Sequence, residues 1–207
     1  MKELLSLLNN IHSLSPALHQ YLSQILKSAT IDKRQFLLTA GQMSRHIYFI
    51  KKGLLRCYYI HDEQEVCSKF LKERDIIVSA SSFFLQKESQ EYIQAIENSD
   101  LWYLSFDQLQ YIYKNFPEFN VIARVLSIKS YLLSEQRLVF IRMKQSSDRY
   151  SSMLEYFPEL VLRVPSKYLA SYLGISVETL SRIRGNKYLL IFINLSFLVD
   201  SYFRDTI

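Results

Sequence analysis

Residues 164–185 read V-P-S-K-Y-L-A-S-Y-L-G-I-S-V-E-T-L-S-R-I-R-G, and the rest of the chain is best understood outward from them. Pro165 and Ser166 open a helix in which Leu169, Ala170 and Leu173 share one face, and Gly174 supplies a turn residue tolerant of positive φ. Ser176 is a good N-cap for a second helix. Glu178 falls in its first turn, where the helix dipole favours a carboxylate, and Leu180 and Ile183 give it an inward face. Two short helices joined by a tight glycine turn, the second leaving polar residues outward, predict a DNA-binding helix-turn-helix.

The DNA-facing set is Ser176, Val177, Glu178, Thr179, Ser181 and Arg182 on the second helix, with Arg184 just beyond. An arginine bonds guanine bidentately and a carboxylate accepts from the cytosine amino group, so Glu178 and Arg182 at i,i+4 suit neighbouring base pairs, about 1–3 kcal/mol of discrimination each. The same two residues on a solvated helix would form an ordinary ion pair, contributing a few tenths of a kcal/mol. Alone, the pair favours that second reading. The preceding helix and glycine turn reverse the balance, and Ser166, Lys167 and Arg184 are then candidates for phosphate contacts.

Upstream, S-S-D-R-Y-S-S-M-L-E-Y-F-P-E-L over 146–160 offers Ser147 as the N-cap of a helix that Pro158 terminates. K-Q-S-S over 144–147 is the expected hinge. Before it, Pro117 starts a long helix reaching about Met143, along which Val125, Leu132 and Val139 recur at seven, as do Leu126, Leu133 and Phe140. One stripe can pack within the chain while the other meets a partner; a single wide stripe buried inside one chain carries almost equal weight. A lone helix-turn-helix contacts one half-site, whereas dimers place two about one DNA turn apart, which favours a homodimer.

Ser105-Phe-Asp-Gln108 has the form of a capping box and starts the helix before this one. Between about Lys27 and Leu104 the pattern changes to short runs rich in Ile, Val, Tyr and Phe: Ile47–Ile50, Leu54–Ile60, Val66–Leu71, Tyr92–Ile96 and Leu101–Leu104. Their spacing predicts a small antiparallel barrel or sandwich. At the N-terminus, leucines and isoleucines from Leu4 to Leu26 recur at helical spacing, with Ser15 and Pro16 restarting the helix as N-cap and first residue.

The segment I-S-V-E-T-L-S-R over 175–182 resembles the recognition helix of the Crp/Fnr family of bacterial transcription regulators, close to its Fnr-type branch. R-H-I-Y-F-I-K-K-G-L-L-R over 45–56 resembles the strand–turn–strand of that family's cyclic-nucleotide-binding-like barrel. The resemblance implies an α+β fold: an N-terminal antiparallel β-barrel, jelly-roll-like, with flanking helices over 1–116; a dimerisation helix and hinge over 117–145; and a C-terminal winged helix-turn-helix over 146–207. It implies Glu178, Ser181 and Arg182 as base readers. Val177 stands where the Crp-type branch has a second arginine, a departure from a Crp-like operator preference. The implied partners are double-stranded DNA, a second copy of the chain through Val125, Leu126, Leu132, Leu133, Val139 and Phe140, RNA polymerase, and a small-molecule effector.

Members that bind cyclic AMP grip its phosphate with a Gly-Glu pair and an arginine, because a buried cyclic phosphate needs backbone donors and a fixed cation. Residues 75–95 here read D-I-I-V-S-A-S-S-F-F-L-Q-K-E-S-Q-E-Y-I-Q-A, with no Gly-Glu and with Ser89 or its neighbours in the arginine's place. Cyclic AMP is therefore not the expected effector. Ser79, Ser81, Ser82 and Ser89 are candidates for lining a pocket for another ligand, against the plainer role of a polar loop. The chain's two cysteines, Cys57 and Cys67, cannot supply four thiolates to an iron–sulfur cluster, and His12, His19, His46 and His61 show no metal-ligand spacing, so no cofactor is expected.

Composition sets the outer bounds. Hydrophobic residues at 49% and charged residues at 22% suit a globular chain, and the net charge of +5 is a mild bias toward polyanions. Four glycines and four prolines leave no long flexible linker. No run of about 20 apolar residues suggests a membrane span, and the N-terminus is a poor signal peptide, so a cytoplasmic location is expected. No nucleophile–base pair, metal set or phosphate-cradling loop points to an enzyme. The stretch 188–199, Y-L-L-I-F-I-N-L-S-F-L-V, is where the wing strands would fall, though it is far more apolar than a wing usually is. That tail, with Val177, keeps one alternative open: a ligand-binding or protein-interaction module with a degenerate helix-turn-helix.

Overall fold

The computed structural model describes residues 1–143 and 145–186; the expected wing at 188–199 and Lys144 of the expected hinge lie outside them. The chain divides into two compact units, Met1–Arg137 and Leu138–Ile207.

The first unit opens with α1 (Lys2–Ile11) and α2 (Pro16–Ile25). The break between them is local chemistry: the Ser15 hydroxyl accepts from the Leu18 N–H, and Pro16 takes the first helical position, where it has no N–H to lose. Eight strands follow: β1 (Lys27–Ile31), β2 (Phe36–Leu38), β3 (His46–Lys52), β4 (Leu55–His61), β5 (Gln64–Leu71), β6 (Ile76–Ile77), β7 (Tyr92–Ala95) and β8 (Ser99–Ser105). They pair antiparallel in two four-stranded sheets, ordered β1-β8-β3-β6 and β2-β7-β4-β5. The expected jelly-roll-like antiparallel unit of an α+β fold takes the form of two facing sheets, with no closed barrel between them. A cluster drawn from both sheets fills the space between them, Ile31, Ile50, Ile77 and Leu101 from one and Leu38, Leu55, Cys57, Ile93 and Ala95 from the other.

Alternation of side chains along a strand gives the first sheet a second buried face. Ile50 points into the sandwich, while its neighbour Phe49 joins Leu104 in a separate cluster with Leu4, Leu5 and Leu8 of α1 and Leu18 and Leu22 of α2. The same cluster takes Phe83 of α3 (Ala80–Leu85), Leu109 and Ile112 of α4 (Phe106–Asn115), and Phe119 and Ile122 of α5 (Pro117–Arg142). The expected capping box is present at α4, with Ser105 Oγ accepting from the Gln108 N–H and Gln108 Oε1 accepting from the Ser105 N–H. On β4, Arg56 is 1% exposed yet fully engaged, donating to Gln94 Oε1 and to Glu65 Oε2 at 2.7 Å and lying 4.1 Å from the Tyr58 ring centroid.

Tight corners are made by ordinary residues as well as by glycine. Gly53, between β3 and β4, has φ +110, and Arg34, Asp62, Glu63, Arg74 and Gln86 also take positive φ.

After the end of α5, the described residues of the second unit form α6 (Ser146–Tyr156), α7 (Pro158–Arg163), α8 (Ser166–Leu173) and α9, residues 177–186. One expectation is corrected. Gln145, not Ser147, is the N-cap of α6, so Ser146 and Ser147 are helical and not hinge. The helix ends at Tyr156 with Phe157 as C-cap, as expected ahead of Pro158, which then opens α7 in a position that suits its fixed φ. The core here is Tyr150, Met153, Leu160, Val161, Val164, Leu169, Ala170, Leu173 and Leu180.

Candidate nucleic-acid interface

The turn between α8 and α9 follows from two residues. Gly174 adopts φ +64 and its N–H reaches back to the Ala170 and Ser171 carbonyls, closing α8. A side chain at Gly174 would meet nothing within 4 Å, so backbone conformation and not space selects glycine. Ser176 then caps α9 as expected, its hydroxyl oxygen accepting from the Thr179 N–H at 3.1 Å. Leu180, 1% exposed, and half-buried Ile183 anchor α9 inward.

The opposite side of α9 is open. Val177, Glu178, Ser181 and Arg182 are exposed, Ser176 is exposed beside them, and Thr179 is half-buried. The Glu178 carboxyl is held below the usual carboxylate range, first by its own backbone N–H and then by the Ser176 hydroxyl, so it is a ready acceptor at neutral pH. No salt bridge joins Glu178 to Arg182 among the described residues. The i,i+4 ion pair that competed with base reading is therefore not made.

The expected phosphate contacts separate. Lys167 is exposed. Arg184 is half-buried and turned inward: Nη1 donates to Ser166 Oγ at 2.8 Å, Nε to Tyr150 Oη at 3.3 Å and Nη2 to the Val161 carbonyl at 3.4 Å. As placed, Arg184 and Ser166 bond each other within the protein.

On α5 the two stripes differ in surroundings. Val125, Leu132 and Val139 are 41%, 55% and 64% exposed. Of the other set, Leu126 packs against the helical cluster of the first unit and the Phe140 ring lies 6.1 Å from that of Tyr172, while Leu133 stays exposed. Ile128, Tyr131 and Leu138 extend the open stripe. Sequence reading missed them, although Ile128 and Tyr131, three and six beyond Val125, and Leu138, six beyond Leu132, were there to be counted.

The serine segment is self-contained. Ser79, Ser82 and Ser89 are buried, with Ser79 Oγ and Ser89 Oγ 3.1 Å apart, Ser82 Oγ accepting from the Ser44 N–H, and Ser89 Oγ donating to the Glu91 carbonyl. Ser81 is exposed. Both cysteines are buried free thiols, and burial pushes Cys57 up to about 12, which keeps its thiolate out of reach at neutral pH. Among the described residues no His, Cys, Asp and Glu group is placed to hold a metal, and no helix is long and apolar enough to cross a membrane.

Residues 29–116 match the family model of the cyclic nucleotide-binding domain. The anaerobic regulatory protein of Haemophilus influenzae is 26% identical over 175 residues, covering 78% of this chain and 66% of that protein. The fumarate and nitrate reduction regulatory protein of Yersinia pestis is 25% identical, covering 78% and 68%. Over these spans the chain carries a cyclic nucleotide-binding domain and is similar to transcription regulators of the Crp/Fnr type. Its fold agrees with that of a solved Crp/Fnr regulator from Eubacterium rectale, with a TM-score of 0.67 at 20% identity over 86% of this chain and 84% of that one. The matched region spans about two thirds of the length of these two curated relatives.

Proposed function

We propose that the protein is a homodimeric, sequence-specific DNA-binding regulator, with a sensor over 1–116, a dimerisation helix over 117–145 and a reader over 146–207. The open row Glu178, Ser181 and Arg182 on a helix anchored behind a glycine turn carries the reading, because it leaves an ionised acceptor and a bidentate donor exposed, with no ion pair between them, on the surface suited to a major groove. Val177 adds an apolar contact of the kind that meets a thymine methyl. The open stripe of α5 supports a two-fold partner, which would set two recognition helices on adjacent half-sites. The effector is neither cyclic AMP nor an iron–sulfur cluster: the serine segment has neither a Gly-Glu pair nor an arginine to grip a cyclic phosphate, and two thiols cannot make a cluster site.

The test is selection of bound fragments from genomic DNA, followed by Arg182→Ala on the best site. The substitution is expected to cost about 1–3 kcal/mol and to relax the preference at one base position. Equal affinity of Arg182→Ala and the parent for every variant of that position would remove Arg182 from the reading set. Absence of binding to any fragment at low salt would remove DNA as the partner.

A further inference from the structure

Arg184 lies two residues beyond Arg182, at the place where a guanidinium beside a recognition helix is ordinarily assigned to a phosphate. Its surroundings give it another task. Each of its nitrogens has a partner on a different helix: Tyr150 on α6, Val161 on α7 and Ser166 at the start of α8. The guanidinium carbon also lies 5.8 Å from the Tyr150 ring centroid. All three acceptors are neutral, so the charge is placed for its directional bonds and not to neutralise a carboxylate.

We propose that Arg184 is a positioning residue, a latch that ties α9 to the three helices behind it and so fixes the angle at which Glu178, Ser181 and Arg182 leave the protein. This rests on the DNA-binding reading above. The need for a latch is physical. Helix α9 has little apolar anchorage, with Leu180 buried and Ile183 half-buried, and such a helix can roll about its own axis. Bidentate base contacts tolerate displacements of only about 0.5 Å and 10–20°. A planar fork bonded in three directions stops that roll in a way that a single-point ammonium cannot.

Hydrogen exchange on the full chain without DNA decides the latch independently of any operator. In Arg184→Leu the amides of 178–186 are expected to exchange about tenfold faster than in the parent, with β3 and β8 unchanged as an internal control of folding. Arg184→Lys should fall between the two, and Ser166→Ala, which removes one partner only, should show a smaller change of the same sign. Unchanged exchange over 178–186 in Arg184→Leu overturns the proposal.

With a selected DNA site in hand, Arg184→Leu is expected to lose about tenfold in specific affinity while keeping its affinity for unrelated DNA and its slope of log affinity against log salt. A slope reduced by about 0.9 would assign Arg184 to a phosphate and overturn the latch. Equal losses on specific and unrelated DNA would mean general destabilisation and overturn it too. A parent chain that binds no DNA defeats the regulator reading, while the exchange result still decides whether Arg184 holds α9.

Discussion

Leu132→Asp is expected to convert the protein from dimer to monomer in sedimentation and to abolish specific DNA binding at concentrations that saturate the parent. Leu132 is in the middle of the open stripe of α5, with Val125 and Val139 one heptad away on either side and Ile128, Tyr131 and Leu138 beside it. These side chains have no cover within the described residues, and together they make the apolar seam that a second helix would bury. Burying an unpaired carboxylate costs several kcal/mol, and two-fold symmetry places the change in the interface twice. Each monomer would then reach one half-site alone, so the loss on DNA exceeds that at the dimer interface. Ser130→Asp, on the far side of the same helix, is the control and should behave as the parent. A Leu132→Asp chain that still sediments as a dimer would mean that the seam lies elsewhere.

Gly53→Ala should lower the unfolding free energy by roughly 2–6 kcal/mol, the sum of about 1–3 kcal/mol for a non-glycine residue forced to this φ and a similar amount for overpacking. The backbone at Gly53 has φ +110, and a Cβ there would lie 2.7 Å from Ser99 Cα and collide with the Ser99 hydroxyl. Ser99 cannot give way easily, because it is 3% exposed and its hydroxyl donates to the Glu97 carbonyl at 2.8 Å. Against a typical total of about 5–15 kcal/mol, the change should be plain in a urea melt. A midpoint within error of the parent would show that the β3–β4 corner relaxes far more readily than its packing suggests.

What was legible in the sequence was mostly local. Ser15-Pro16, the Ser105–Gln108 box, the Gly174 turn and the Ser176 cap depend on residues within four positions of each other, and each appears where it was expected. The short strands β1, β2 and β6 were not named, because two to five residues carry too little periodicity and their pairing, such as Lys27 with Tyr103, depends on distant chain. Barrel and sandwich share the same alternation, so the choice between them waited for the strand order. The direction of Arg184 was hidden for a related reason. Its partners Tyr150 and Ser166 are 34 and 18 residues away, and nothing beside it in sequence distinguishes an arginine that faces outward from one that is tied down. The choice between the two stripes of α5 depended on exposure, which no heptad count contains.

The five non-glycine residues at positive φ give the molecule unused thermal headroom. Each left-handed corner holds about 1–2 kcal/mol of steric opposition that the sandwich core must outweigh. Glu63, at the exposed β4–β5 hairpin, has no part in the reading surface, so Glu63→Gly should raise the melting temperature by a few degrees. A heat-tolerant form of the protein is therefore within reach through its corners, without altering a residue of α9.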